Sequence, residues 1–323
     1  MTMRVPLLLA ASVLLGATLA RGDETNPAQE KAIAAIKKLG GTVSLDESRP
    51  AKPVVAVFLT SNKVTDADLA NLEGFKDLVT LHLNGTPVTD AGVDHLKGLV
   101  KLVTLDLSGT KLTDAGLTSL KGLNQLQWLG LDNTQVSDKG LKVLAGFTKL
   151  RTSYLRRTKL TDAGLAHVKG LSQLQKLYLD ETSVTNTGLS YLADLGQLDT
   201  LQLYKTRITD AGLSHLEPLT KLTALDLSGT KVTGAGLKRF KGLSRVVYVN
   251  LSGVQILDED LADFKRLTRL ESLDLSAAPV SDSGLKHLHE IKSLKRLSLR
   301  DTKVTAEGVN ALKKALPALR VER

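Results

Sequence analysis

Four histidines (His95, His167, His215 and His287) and five aspartates (Asp90, Asp114, Asp138, Asp162 and Asp210) recur at multiples of 24 residues. Imidazoles bind metals and move protons, and carboxylates supply acid and base pairs, so a metal site or a hydrolytic pair is the first chemistry to consider. Even spacing argues against both. Like positions in a repeating chain lie side by side, one copy apart, and do not converge on one ion; His287-x-His289 adds no further ligand. Asp106 and Asp226 fall five copies apart, too far for paired carboxylates. The chain has no Cys, which removes disulfides, thiolate metal sites, a cysteine nucleophile and a lipid-modified N-terminal cysteine together. No phosphate-cradling loop or nucleophile elbow stands out. The reading is of a chain that is not an enzyme and carries no cofactor or metal.

What remains is the chemistry of contact surfaces. Aromatics are only 3% of the chain, with a single tryptophan, Trp128, so their placement is informative. The elements that place them follow from one repeat. The stretch Leu102 to Gln125, LVTLDLSGTKLTDAGLTSLKGLNQ, slid by its own length, gives eleven copies without insertion, beginning at Val54, Leu78, Leu102, Leu126, Leu150, Leu174, Leu198, Leu222, Val246, Leu270 and Leu294. A fixed repeat calls for one elongated array in which each copy packs only on its neighbours.

Within a copy, positions 1, 4 and 6 are apolar and 3, 5 and 7 vary, with Leu at position 6 throughout. Such alternation predicts a short strand with one buried face. Thr at position 9, as in Thr110, predicts a hydroxyl bonded to turn backbone of the next copy. Thr-Asp-Ala-Gly-Leu follows, as in Thr113 to Leu117, with Thr as N-cap and Asp at the positive end of a short helix. Glycines at position 21 (Gly74, Gly98, Gly122, Gly146, Gly170 and Gly242) predict its end.

This pattern resembles the leucine-rich repeat, whose L-x-x-L-x-L motif stands here as Leu102-Val103-Thr104-Leu105-Asp106-Leu107. The Thr-Asp-Ala-Gly-Leu segment looks most like the cysteine-containing repeat class, with Thr in place of Cys, and like secreted bacterial proteins with short repeats of this kind. With no F-box segment before the array, ubiquitin-ligase adaptor function is not carried over. The resemblance covers residues 54–317 and implies an α/β fold: a curved horseshoe solenoid, parallel sheet on the concave face, short helices on the convex face, and protein binding as its common use.

In that arrangement side chains at positions 3, 5 and 7 point to concave solvent. Trp128, Tyr154, Tyr178, Tyr204 and Tyr248 fall there, and Tyr154 and Tyr178 share position 5 in adjacent copies, with Gly130 beside them leaving a gap that Trp128 partly covers. Exposed Trp, Tyr and Arg on a rigid platform anchor protein interfaces. The expected protein-binding patch is Trp128, Tyr154, Arg156, Tyr178 and Tyr204, centred on the fourth to seventh copies. Ser153, at a buried position where other copies have Leu or Val, lies in the same region. Rows seven and eight (Asp132, Arg156, Asp180, Tyr204; Asn133, Arg157, Glu181, Lys205) alternate in sign and are expected largely to neutralise one another, which argues against a polyanion groove.

The formal charge is +9. The surplus falls on the helix side and turns, at residues such as Lys97, Lys121 and Lys159, where a solvated face is the plain reading and binding of a cell-envelope glycan or anionic polymer through this Lys-rich convex surface the alternative. Nucleic acid is disfavoured by the N-terminus. Met1 to Ala20, with one charge at Arg4, an apolar run from Val5 and small Thr18 and Ala20, reads as a cleaved secretory signal. That places the array in the periplasm or outside the cell, with membrane attachment only if the segment stays uncleaved. Residues 21–53 read as an N-terminal cap with a helix after Asn26-Pro27, and 318–323 as a terminal strand fragment.

Overall fold

The computed structural model describes residues 26–323. The expected signal segment 1–20, and residues 21–25, lie outside the described residues. No helix among the described residues is long and apolar enough to cross a membrane.

Helix α1 (Pro27–Lys38) starts where Asn26 accepts the Ala28 and Gln29 N–H groups at 3.1 and 3.2 Å and Pro27 needs no partner. Its Ala32 and Ile36 are buried in the first layer of the core. Thirteen strands then form one sheet in sequence order: β1 (Thr42–Leu45), β2 (Val54–Phe58), β3 (Thr80–His82), β4 (Thr104–Asp106), β5 (Trp128–Gly130), β6 (Thr152–Tyr154), β7 (Lys176–Tyr178), β8 (Thr200–Gln202), β9 (Ala224–Asp226), β10 (Tyr248–Asn250), β11 (Ser272–Asp274), β12 (Arg296–Ser298) and β13 (Arg320–Glu322). β1 pairs antiparallel with β2, and every later pair is parallel with like repeat positions opposite, as in Thr104↔Trp128 and Tyr154↔Tyr178. The core is a set of columns. In the third copy Leu102, Leu105, Leu107, Leu112, Leu117, Leu120 and Leu123 are all fully buried, each stabilising by about 1.5–3 kcal/mol relative to exposure.

Three local expectations change. The position-9 hydroxyls bond within their own copy: Thr110 Oγ1 donates to the Leu107 carbonyl at 2.7 Å, and the same three-residue reach recurs from Thr86 to Thr302. They close a turn and do not tie copies together. The position-21 glycines do not take the left-handed conformation; the helical turns of the fourth and eighth copies end at Gly146 and Gly242 as expected, whereas the third-copy helix ends at Ser119, before Gly122. The aspartates do more than complement helix ends, because they carry the link between copies.

Asp114, the first residue of its helix, reaches into the next copy, where its Oδ1 accepts the Ser137 N–H and its Oδ2 the Ser137 hydroxyl, both at 2.6 Å. The same hydroxyl oxygen accepts the Lys139 N–H. One carboxylate thus seats the N-cap that starts the following helix. The pairing repeats as Asp66–Thr89, Asp90–Thr113, Asp138–Thr161, Asp162–Thr185, Asp210–Thr233, Asp258–Ser281 and Asp282–Thr305, with Asn186 serving Thr209. It also explains a glycine. At Gly140 and its equivalents a Cβ would overlap the aspartate of the preceding copy, so position 15 must stay bare wherever that aspartate is present.

The link fails once, and all three of its residues change together. The eighth copy has Gly234 for Asp, and the ninth has Leu257 for Thr and Asp260 for Gly. Asp260 fills the space beside Gly234 and accepts its own copy's Leu257 N–H at 2.8 Å. The first copy, with no aspartate before it, does the same through Asp68 on Thr65. Gly234→Asp alone should therefore destabilise the chain by crowding Asp260. The triple change Gly234→Asp, Leu257→Thr, Asp260→Gly should raise the urea midpoint above the parent, by a stability of about 1–3 kcal/mol for the hydrogen bonds gained. A triple variant no more stable than the single one would refute the coupling.

Candidate functional site

In-register pairing brings position-5 side chains of successive strands about 4.8 Å apart. Tyr154 on β6 and Tyr178 on β7 accordingly stack face to face, with centroids 4.2 Å apart and planes 4° apart. On β5 position 5 is Gly130, and the Trp128 ring from position 3 lies over it; a Cβ there would come within 2.9 Å of the indole. Trp128 packs on Tyr154 at 4.9 Å and reaches His82 at 6.0 Å, and His82 stacks on Phe58 at 5.0 Å. The result is a ladder of five rings. Phe58 on His82 and Tyr154 on Tyr178 are face to face, and Trp128 is tilted against both its neighbours.

Arg156 is fixed against this ladder. Its guanidinium carbon lies 4.4 Å from the Tyr178 ring centre and 5.2 Å from that of Tyr154, and Nη2 donates to Gln202 Oε1 at 2.9 Å. Nε sits 2.7 Å from Asp180 Oδ2, an ion pair without an aligned hydrogen bond, since the buried Nε–H finds no well-directed acceptor. Nη1 is 3.5 Å from Asp132 Oδ2. Asp132 and Asp180 also accept backbone N–H groups from the next strand, those of Arg156 at 2.7 Å and Tyr204 at 3.0 Å.

The sequence-expected residues divide. Trp128, Tyr154, Arg156 and Tyr178 form one contiguous group. Tyr204 does not stack with them; it forms a wall of a cleft of about 370 Å³ that it shares with Arg156, and whose lining also includes Asp132, Asn133, Arg157, Asp180 and Glu181. Tyr248, on β10, lies three strands beyond β7. The ring ladder also runs further than the fourth to seventh copies, to Phe58 and His82 in the first two. Both occupy the row of Tyr154, so following position 5 to the start of the array would have found them.

A second feature escaped sequence reasoning. Position 8 is left-handed, and Gly85, Gly109, Gly229 and Gly253 meet that need without a Cβ. From the fourth to seventh copies it is instead Asn133, Arg157, Glu181 and Lys205, with φ of 53–56°, a conformation costing about 1–2 kcal/mol for a side chain other than glycine. Ala277 and Asp301 share it near the far end, but the run of four borders the cleft. Arg157 pairs with Glu181 at 2.7 Å, and Lys205 lies over the Tyr204 ring at 4.8 Å.

Over the two rows the signs balance, Asp132, Asp180 and Glu181 against Arg156, Arg157 and Lys205, and one guanidinium serves both row-seven carboxylates. Burial pushes the Asp132 carboxyl up to about 6, against the hydrogen bond and charge of Arg156, with Asp106 and Asp180 adding to the rise. Asp180 is raised too, by burial first. Asp106 is held below the ordinary range, since hydrogen bonds with His82 and Ser108 outweigh its burial. Burial, then Tyr154, drives the Tyr178 hydroxyl upward. Among the described residues, no group of three or more His, Cys, Asp or Glu is placed to hold a metal ion.

Two predictions follow from this geometry. A carboxyl whose folded value exceeds its unfolded one favours the folded state when protonated, so Asp132 withdraws stability as pH rises from about 4 through about 6, on the order of 2–3 kcal/mol in all. Asp132→Asn, whose amide oxygen can still accept the Arg156 N–H, should stabilise the chain near pH 7 and much less near pH 4, as read from denaturant midpoints. Equal effects at both would contradict it. Beneath the ladder, Ser153 is fully buried with its hydroxyl unpaired between Leu129 and Leu177 on neighbouring strands. Ser153→Leu should add about 2 kcal/mol; a loss would mean that the layer has closed around the serine.

Comparison with known proteins places this geometry. Residues 76–136 match one family model, described as "Leucine rich repeat", and residues 219–240 match a second, described as "Leucine Rich repeat". No curated protein sequence matches the chain. An internalin from Listeria monocytogenes shares its fold with a TM-score of 0.62 at 21% identity, over 91% of this chain and 93% of the internalin. The leucine-rich-repeat ectodomain of the Arabidopsis receptor kinase HAESA, crystallised with an extended IDA peptide hormone, gives 0.62 at 19% identity, over 86% of this chain and 50% of that one. The leucine-rich repeat is thus matched at two points of the array, and the solenoid fold of the internalin is shared along most of the chain's length.

Proposed function

We propose that this chain is a non-catalytic protein-binding scaffold working outside the cytoplasm, and that it holds its partner on the sheet face through Trp128, Tyr154, Arg156, Tyr178 and Tyr204. The observation that carries the reading is the pre-ordered ring ladder with Arg156 locked against it. Trp, Tyr and Arg dominate interface energetics, and side chains already fixed by stacking lose little freedom on association. Runs of strained left-handed residues bordering a cleft fit the same reading, since such strain clusters where function holds it. The extracytoplasmic setting rests on the secretory pattern of Met1 to Ala20. The HAESA ectodomain, a solenoid of the same fold, is crystallised with a peptide hormone, which gives a precedent for polypeptide ligands on this architecture.

Tyr154→Ala combined with Tyr178→Ala should weaken capture of the native partner about thirtyfold or more, the scale of one hot-spot loss, with the denaturation transition still cooperative. Capture at the parental level would remove the patch from consideration.

A further inference from the structure

Arg156 is pulled in more directions than it can satisfy. Its Nε lies 2.7 Å from Asp180 Oδ2, yet the N–H is not aimed at that oxygen, and the buried nitrogen has no hydrogen-bond partner. Nη1 stands 3.5 Å from Asp132 Oδ2, and Nη2 donates to the neutral Gln202 Oε1 at 2.9 Å. The guanidinium is a rigid fork whose donors cannot be aimed one at a time. A pose shared between two carboxylates therefore leaves Nε–H misaligned, although an unpaired buried donor is costly.

Of the two carboxylates, Asp132 is the weaker hold. Around it stand Asp106 from the third copy, Arg156 from the fifth and Asp180 from the sixth; Arg157, paired with Glu181, and Lys205, over the Tyr204 ring, lie in or beside the outer cleft. His82 is behind Asp106, 3.7 Å from its Oδ2. Burial first, with the charges of Asp106 and Asp180, pushes Asp132 up to about 6 although Arg156 opposes the rise. Asp180 is raised by burial too, but it has the closer guanidinium nitrogen, and a close cation keeps a carboxylate charged.

We propose that a proton on Asp132 switches the seat of Arg156. The proton ends the pull on Nη1, and the guanidinium, pivoting on Gln202, settles on Asp180 with Nε–H aligned to Oδ2. A carboxyl raised in the folded chain takes up its proton as pH falls, so Arg156 is shared between the two acids in the neutral range and belongs to Asp180 below about 6. The bearing of this on a partner rests on the protein-binding reading above. Arg156 is one of the five side chains of that patch, and its two seats present different surfaces beside Tyr154 and Tyr178, so mild acid regulates the grip on the partner.

The Arg156 Nε–H is its own probe. In the nitrogen-15-labelled full-length chain its magnetic resonance signal is identified by its loss in Arg156→Lys, and its exchange with water is compared between the parent and Asp132→Asn at equal pH. Asparagine is uncharged and keeps an oxygen for the Arg156 backbone N–H, so it stands for the protonated aspartate at every pH. Near pH 7.5 the Nε–H of Asp132→Asn should exchange about tenfold more slowly than that of the parent, the protection of one hydrogen bond. Near pH 4.5, where the parent carries the proton, the difference should vanish. Equal exchange in the neutral range, or a difference that survives in acid, would overturn the switch. No partner enters this measurement. Its failure removes the switch and leaves the scaffold standing, whereas native capture untouched by the Tyr154 and Tyr178 double variant removes the scaffold and leaves the switch.

Discussion

The carboxylate at position 13 is the constraint on which the array depends. A solenoid is held along its sheet by strand pairing and along its interior by leucine columns, but neither determines where each short helix begins. Helices of four to six residues have too few internal hydrogen bonds to start themselves. Each is started from outside, by an aspartate of the preceding copy that grips the N-cap hydroxyl and N–H together. Thr or Ser at position 12, Asp or Asn at 13 and Gly at 15 are therefore one device spread over two copies.

The sheet face was legible in the sequence to the extent that it is a matter of period. Strands in register put like positions side by side, so the Tyr154–Tyr178 stack, and Trp128 over Gly130, followed from counting. What counting missed was contact between unlike positions. The Asp114–Ser137 link joins position 13 to position 12 of the next copy, and within a single repeat the two look like an N-cap and a helix-dipole charge. Position 8 was hidden for another reason. A left-handed residue betrays itself in sequence only when it is glycine, and in the copies that matter it is Asn133, Arg157, Glu181 and Lys205. Phe58 and His82 were visible in principle, in the row already identified, and lay beyond the copies on which attention rested.

The same stretch of sheet is where the chain departs furthest from its most stable form. A buried Leu gives way to Ser153, four successive turns hold side chains in a backbone region that favours glycine, and two part-buried carboxylates share one guanidinium. Each departure disfavours folding by an amount comparable to one good interaction. The copies on either side keep glycine turns and leucine layers. A long array tolerates such a concentration because each copy rests only on its neighbours, so regular copies on both sides can carry an irregular middle.

The interruption at Gly234, Leu257 and Asp260 has a consequence for how such a chain can be remodelled. The ninth copy begins as the first does, with an aspartate that closes its own N-cap. The last three copies thus carry a starting signal and ask nothing of the copy before them except strand pairing and apolar contact. A cut at that boundary leaves no carboxylate without its hydroxyl and no N-cap without its acid. Elsewhere in the array a cut separates donor from acceptor. The seam between the eighth and ninth copies is where this molecule can be divided with its capping intact on both sides.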